Sequence, residues 1–231
     1  MRAAIIAAGE GSRLSTVAPV KPMIPVAGKP LIGWVVDALK SSGCSEVSVL
    51  TNSRGNAVPG YLRSAFPDVS FDFVTADTAS SFESFRLMCL RLARFNAPFA
   101  VSTTDALVPP SDVARFLAEC RSSKCDAGLA LTRHVDDENP LWADLDEVGL
   151  VTALGTEAKT KRFVTSGLYY MTGTAVARLP EAGAHTRLRD FLGSLVASGA
   201  RVAGPVLSKT LDVDRPEDLA AAEAFLTEKS R

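Results

Sequence analysis

Long hydrophobic runs are missing from this chain. Its first apolar stretch, Ala3 to Ala8, is short and is followed at once by Glu10 and Arg13, so it reads as neither a secretion signal nor a membrane span. Cysteine is scarce and scattered: Cys44, Cys89, Cys120 and Cys125 include no C-x-x-C pair, and the two histidines, His134 and His185, stand far apart. This argues against a structural zinc site and for buried, reduced thiols. An excess of either charge is also absent, with 25 Lys and Arg against 26 Asp and Glu, which speaks against nucleic-acid binding by blanket phosphate neutralisation. No like-charge block or low-complexity tract interrupts the sequence. The expectation is an ordinary globular protein in the cytoplasm, with no nucleic-acid or membrane partner.

What is present is alternation. At 231 residues the chain is long enough to bury a real core, and residues 1–231 are expected to form a single domain. Ala3 to Ala7 reads as a buried parallel strand. Leu31 to Lys40 is predicted to be a helix ended by Gly43; Glu46 to Leu50 and Val69 to Val74 are predicted strands separated by a polar, proline-containing stretch. Ser81 to Phe95 carries Phe82, Phe85, Met88, Cys89 and Leu92 on one helical face. Strand Pro98 to Ser102, helix Asp112 to Arg121 and strand Asp126 to Thr132 follow. This is the signature of an α/β fold, a three-layer α/β/α arrangement around a mostly parallel, doubly wound sheet. After residue 133 the pattern changes to a hairpin, Leu141 to Leu145 with Leu150 to Leu154, and a third strand from Phe163 to Met171. With no linker before it, this half is expected to extend the same sheet, and strand Leu207 to Val213 and helix Pro216 to Thr227 close the chain.

Gly9-Glu10-Gly11-Ser12-Arg13 follows the first strand, where glycines let the backbone turn its N–H groups toward a phosphate. It is not a dinucleotide fingerprint, because Arg13 and Leu14 stand where a third small residue is needed for close helix packing. It is not a P-loop either, since no Gly-Lys-Ser/Thr follows at the required spacing. Eight residues beyond Arg13, Lys21 sits in a loop stiffened by Pro22 and Pro25. A fixed guanidinium and ammonium beside backbone donors make a triphosphate site.

The segments IIAAGEGSRL and KPMIPVAGKPLI together resemble the signature of the sugar-1-phosphate nucleotidyltransferases, which share a GT-A-like, Rossmann-like fold. The later segments VSTTDALV and LDVDRPEDLAAAEAF fit the same family. The resemblance implies that an NTP and a phosphorylated small molecule, a sugar 1-phosphate first of all, are the partners, with the acceptor phosphate attacking the α-phosphorus. It implies a nucleotide-binding half over about residues 1–132 and an acceptor half over about 133–231. It implies Mg²⁺ held by Asp105 and Asp212, hard oxygen ligands suited to that ion. Arg13 and Lys21 then serve catalysis at the phosphates, and Ala7, Ala8, Gly9, Gly11, Ser12 and Thr104 contact the nucleotide. Ser80 and Ser81 lie where the family reads the base, while Ser80 and Glu83 also have capping-box spacing; both readings stand. Glu157, Thr165 and Ser166 are the acceptor-side candidates, and Lys29 and Lys159 are open as phosphate contacts.

Other features have plainer explanations. Asp214, with Pro216 and Glu217 after it, reads as a helix N-cap. His134, Asp136 and Asp137 read as a solvated loop rather than a metal cluster, and Trp34, Trp142, Tyr169 and Tyr170 as core packing by default, with the floor of a sugar pocket as the alternative. Cytidylyl transfer to phosphocholine or guanylyl transfer to a pterin, and a silent nucleotide-binding regulatory domain, are the alternatives. A monomer or homodimer is expected.

Overall fold

The structure is a computed structural model that describes residues 1–14, 17–135 and 139–228. Its first half runs β1 (Arg2–Ala7), β2 (Pro25–Val26), β3 (Lys29–Pro30), α1 (Leu31–Ser41), β4 (Glu46–Thr51), α2 (Ala57–Ala65), β5 (Ser70–Thr75), α3 (Ser81–Ala93), β6 (Phe99–Thr103), β7 (Ala106–Leu107), α4 (Pro110–Ser122) and β8 (Ala127–Thr132). The second runs β9 (Trp142–Leu145), β10 (Val151–Leu154), β11 (Phe163–Met171), α5 (Gly173–Val176), α6 (Leu188–Ala197), β12 (Val202–Ala203), β13 (Leu211–Asp212) and α7 (Asp218–Glu228).

A nine-stranded sheet follows the order β10-β9-β11-β6-β1-β4-β5, with β8 and β12 joined to it through β11. The sheet is mostly parallel. β5, β4, β1 and β6 pair parallel, and β8, β9 and β12 point the same way; only β11 and β10 run against them. Alternate residues of β1 feed opposite faces, as a strand's two-residue period requires. Ala3, Ile5 and Ala7 pack with α1, α2 and α4, while Ala4 faces Phe82, Phe85 and Met88 of α3 and Phe191 of α6. These are the three layers the alternating sequence predicts, and the second half does extend the same sheet.

A third, smaller core joins distant parts of the chain. Leu14, Ile24, Val26 and Leu31 pack against Leu107, Leu211, Val213, Ala222 and Phe225. Each fully buried side chain of this size contributes about 1.5–3 kcal/mol. Together they hold the segment after β13 beside the turn after β1, although some two hundred residues of chain lie between them.

Three local expectations change. The proline-containing stretch before β5 holds α2, whose Val58 and Leu62 are buried one turn apart. Pro59 falls in its first turn, where the missing N–H costs nothing. Helix α6 joins this list of additions, having no counterpart in the sequence reading. The closing strand is only Leu211–Asp212, and it pairs with β7 outside the main sheet. Asp112 accepts both the N–H and the hydroxyl of Ser208, at 3.1 and 2.5 Å, which turns that segment off the sheet.

Candidate active site

The carboxyl ends of β1 and β6 lie side by side, because their register pairs Ile6 with Thr103. The glycine turn after β1 and the Asp105 loop after β6 therefore leave the sheet together. Thr104 braces the two, its N–H and hydroxyl both donating to the Ile6 carbonyl at 3.2 and 2.8 Å. Asn52, just after β4, supports the turn from the other side by donating to the Ala8 carbonyl at 3.2 Å. Gly11 has φ +59°, and a Cβ there would stand 2.7 Å from the Cβ of Lys21. The turn is thus packed directly on the lysine stem, and only glycine fits.

Lys21 carries the most constrained charge of the site. Its side chain is 10% exposed, and Nζ lies 2.9 Å from Asp105 Oδ2 and 2.5 Å from Asp214 Oδ1. Burial alone would pull the ammonium's pKa down, but the two carboxylates outweigh it and hold it above the ordinary lysine value. Burial likewise pushes Asp105 up, and Lys21 with the Thr103 hydroxyl brings it below the usual carboxylate range. Both groups are charged at neutral pH.

The C-terminal acids reach this place through β13. Asp212 pairs with Ala106, and the Val213 N–H donates to the Asp105 carbonyl at 3.1 Å. Asp214 is not the helix cap that its spacing predicts. Its carboxylate is turned to Lys21 instead, while its own N–H and that of Arg215 donate to Oδ2 of Asp218, the first residue of α7, at 2.8 Å each. The D-x-D spacing was the available signal, because residues two apart on extended chain share a face.

Two cavities meet here. One, of about 520 Å³, is lined by Ile6 through Arg13, Lys21, Thr78 to Ser81 and Thr104. The other, of about 400 Å³, is lined by Thr165, Gly167, Tyr169, Arg187, Arg189 and Asp212, among others. Arg13, Ser81, Thr103, Asp105 and Asp214 line both and form the wall between them. Tyr169 floors the second cavity. Burial, with the carboxylates of Asp212 and Asp105 nearby, drives its phenol well up, so it stays neutral. Gly167 has φ +66°, and a Cβ there would fall 2.4 Å from Thr103 Oγ1, so this glycine keeps the floor clear of the wall.

The remaining sequence-predicted residues divide. Ala7, Ala8, Gly9, Gly11, Ser12, Ser80, Ser81 and Thr104 all face the first cavity, and Ser80 also caps α3 by accepting the Glu83 N–H at 3.1 Å. Of the acceptor candidates, only Thr165 lines the second cavity. Ser166 is buried with its hydroxyl on the Ala130 carbonyl, and exposed Glu157 lines neither cavity. Lys29 is tied to Asp37 and lies 4.2 Å over the Trp34 ring. Lys159 points its backbone N–H to Asp144 at 2.7 Å. His134 lines the second cavity, while Asp136 and Asp137 lie outside the described residues.

Asp105 offers a metal hard oxygen donors with Asp212 nearby in the same cavity, and the charge of Lys21 between Asp105 and Asp214 marks a place where positive charge belongs. Among the described residues no three metal-ligating side chains come together. A cation here would need oxygens from a phosphate or water to complete its shell. Among the described residues, no helix is long and apolar enough to cross a membrane.

The family model for the MobA-like NTP transferase domain matches residues 3–195. The Bifunctional IPC transferase and DIPP synthase of Rubrobacter xylanophilus is 28% identical over 97% of this chain and 51% of its own length. The mannose-1-phosphate guanylyltransferase of Mycobacterium tuberculosis is 24% identical over 97% of this chain and 64% of its own. The chain thus spans about half to two thirds of these curated relatives. The inositol-1-phosphate CTP transferase of T. maritima superposes with a TM-score of 0.79 at 18% identity, over 99% of this chain and 96% of that one, which speaks to the fold.

Proposed function

The chain belongs to the MobA-like NTP transferase family, and we propose that it moves a nucleoside monophosphate from an NTP onto a sugar 1-phosphate, giving an NDP-sugar and pyrophosphate. The observation that carries this reading is the pair of cavities divided by Arg13, Asp105 and Asp214. A transfer between two bound molecules needs two adjoining pockets with the reacting atoms at their common wall. The first, with its glycine turn, takes the triphosphate on backbone N–H groups, and Arg13 and Lys21 balance its charge. The second takes the acceptor, whose ionised phosphate attacks the α-phosphorus in line, so no side-chain base is required.

Asp105 and Asp212, with Asp214 beside them, would hold Mg²⁺, which when bound supplies Lewis-acid stabilisation of the phosphoryl charge. Lys21 already stands between the carboxylates of Asp105 and Asp214; the triphosphate would be its third anionic partner, and its work is to orient the leaving pyrophosphate. Residues 1–132 act as the nucleotide half and 133–231 as the acceptor half of one catalytic unit, a reading supported by the sheet that runs through both. The cytoplasm is the proposed location.

Pyrophosphate release, measured for four NTPs against a panel of sugar 1-phosphates, inositol 1-phosphate and phosphocholine, with and without Mg²⁺, tests this. Release with one sugar phosphate, and only with Mg²⁺, is the expected result. Inositol 1-phosphate is in the panel because the T. maritima protein of this fold is named for it. Silence with every pair, while nucleotide still binds, would overturn the reading in favour of a regulatory domain.

A further inference from the structure

The acceptor-side cavity needs positive charge to hold a phosphomonoester, and the segment expected to supply it faces elsewhere. Asp144 accepts the N–H groups of Lys159 and Thr160 at 2.7 and 3.0 Å, together with the Thr160 hydroxyl at 2.6 Å. That binds residues 159–160 to β9. The arginines that do line the cavity are Arg13, Arg187, Arg189 and Arg215. Arg13 belongs to the shared wall, and Arg215 has Glu217 at 3.9 Å. Arg187 is an exposed side chain with Asp190 at 3.6 Å, and Arg189 donates to the Asn139 carbonyl at 2.8 Å. Neither contact uses the whole guanidinium fork, so each arginine keeps donors for a phosphate, whose two oxygens can take a bidentate pair of charge-assisted bonds.

The stretch that carries these arginines is pinned to the start of α3. Ser81 Oγ accepts the Leu188 N–H at 3.0 Å, Glu83 Oε1 accepts the Gly183 N–H at 2.7 Å, and Arg86 Nε donates to the Pro180 carbonyl at 2.9 Å. The His185 ring meets Phe82 edge-on at 5.3 Å. These contacts set where residues 187–189 stand over the cavity.

Resting on the proposed transfer reaction, we propose that Arg187 and Arg189 grip the phosphate of the acceptor, and that Ser81 and Glu83 are positioning residues for that grip. Ser81 then serves the acceptor, although it stands where the family reads the base.

The test is steady-state kinetics on R187Q, R189Q, the double variant, R189K and S81A, with the NTP and acceptor pair that the release panel identifies. R189Q is expected to raise the acceptor KM about 10- to 100-fold, the weight of one or two hydrogen bonds to a charged group, with the NTP KM within about 2-fold. R189K recovers part of this loss, because an ammonium keeps the charge without the fork. S81A, at the wall common to both cavities, raises the acceptor KM several-fold and by more than it raises the NTP KM. An unchanged acceptor KM in the double variant, or a rise in the NTP KM instead, would overturn the proposal. If wild type turns over no pair, the transfer reading itself has failed, and equilibrium dialysis of inorganic phosphate against wild type and R187Q/R189Q decides the grip. Equal retention by the two proteins sinks it; retention by wild type alone sustains it.

Discussion

The two cavities are built in opposite ways. The nucleotide-side cavity takes much of its lining from one unbroken stretch, Ile6 to Arg13, at the end of a central strand. The acceptor-side cavity is assembled from β11, the start of α6, the loop before β9 and the segment after β13. A pocket formed by a strand and its following turn is a local object, fixed by φ preferences and by packing on one lysine stem. A pocket formed by four distant segments exists only once the sheet is complete. The first therefore has one wall written in consecutive residues, and the second is free to differ in which groups it presents.

The largest effect should come from the wall that both cavities share. Asp105→Asn removes a charge from the place where Lys21, Asp214 and the proposed metal converge. Turnover should fall by at least about 10²- to 10³-fold, the cost of deleting one preorganised charge-stabilising group. Circular dichroism should report an intact fold, because the Asp105 backbone keeps its bond from the Val213 N–H. Near-normal turnover would remove Asp105 from the chemistry and dissolve the distinction between wall and lining.

Lys21→Met separates the sides. It keeps the stem that packs on Gly11 but leaves Asp105 and Asp214 without the ammonium between them. Turnover should drop about 10²-fold, while Mn²⁺, titrated in the absence of nucleotide, binds more tightly because no resident cation competes for the two carboxylates. Weaker Mn²⁺ binding would mean that Lys21 organises these acids rather than occupying their place.

Gly167→Ala strikes from the acceptor side, since Gly167 lines that cavity and not the other. The new Cβ would overlap Thr103 Oγ1 and approach Ala106 Cβ to 2.9 Å, at a φ of +66° that alanine adopts only under strain. A stability loss of about 1–3 kcal/mol follows, visible as a Tm lower by about 2–4 °C per kcal/mol in a chain of this size. The acceptor KM should rise and nucleotide affinity, measured by equilibrium titration, should stay close to wild type. Loss of nucleotide affinity instead would show that the wall transmits strain to both sides.

The same asymmetry explains what could be read from the residues alone. The alternation of apolar runs predicts the layers and the parallel core, because each strand and helix is a local pattern. Arg13, Lys21 and Asp105 are legible since each stands in a turn next to a strand or in a proline-stiffened loop. Helix α2 is not, because Pro59 looks like a breaker until its place in the first turn is known. Asp214 is misread for a related reason: its spacing fits a cap, but in the folded chain the distant Lys21 takes its carboxylate. Arg187 and Arg189 carry no motif at all. Their relevance comes from the bonds of Ser81 and Glu83 to the segment that bears them, contacts made across about a hundred residues.

The smallest expected effect is also the sharpest check on how the acceptor cavity is drawn. Glu157 and Ser166 sit in segments where the family resemblance implies acceptor contacts, yet neither side chain lines that cavity. Glu157 is exposed on the turn after β10. Ser166, facing the Ala130 carbonyl at 3.4 Å, makes a long and weak hydrogen bond. Glu157→Gln should leave both KM values and kcat within about 2-fold of wild type, as surface substitutions away from a site do. Ser166→Ala should cost at most about 1 kcal/mol of stability with equally unchanged kinetics. Thr165, the immediate neighbour of Ser166, points into the cavity, so Thr165→Val should move the acceptor KM where Ser166→Ala does not. Val164 and Thr165 line the cavity and Ser166 does not, with the register of β11 shifting just beyond them; if Thr165→Val and Ser166→Ala behaved alike, the placement of β11 against the acceptor would have to be redrawn.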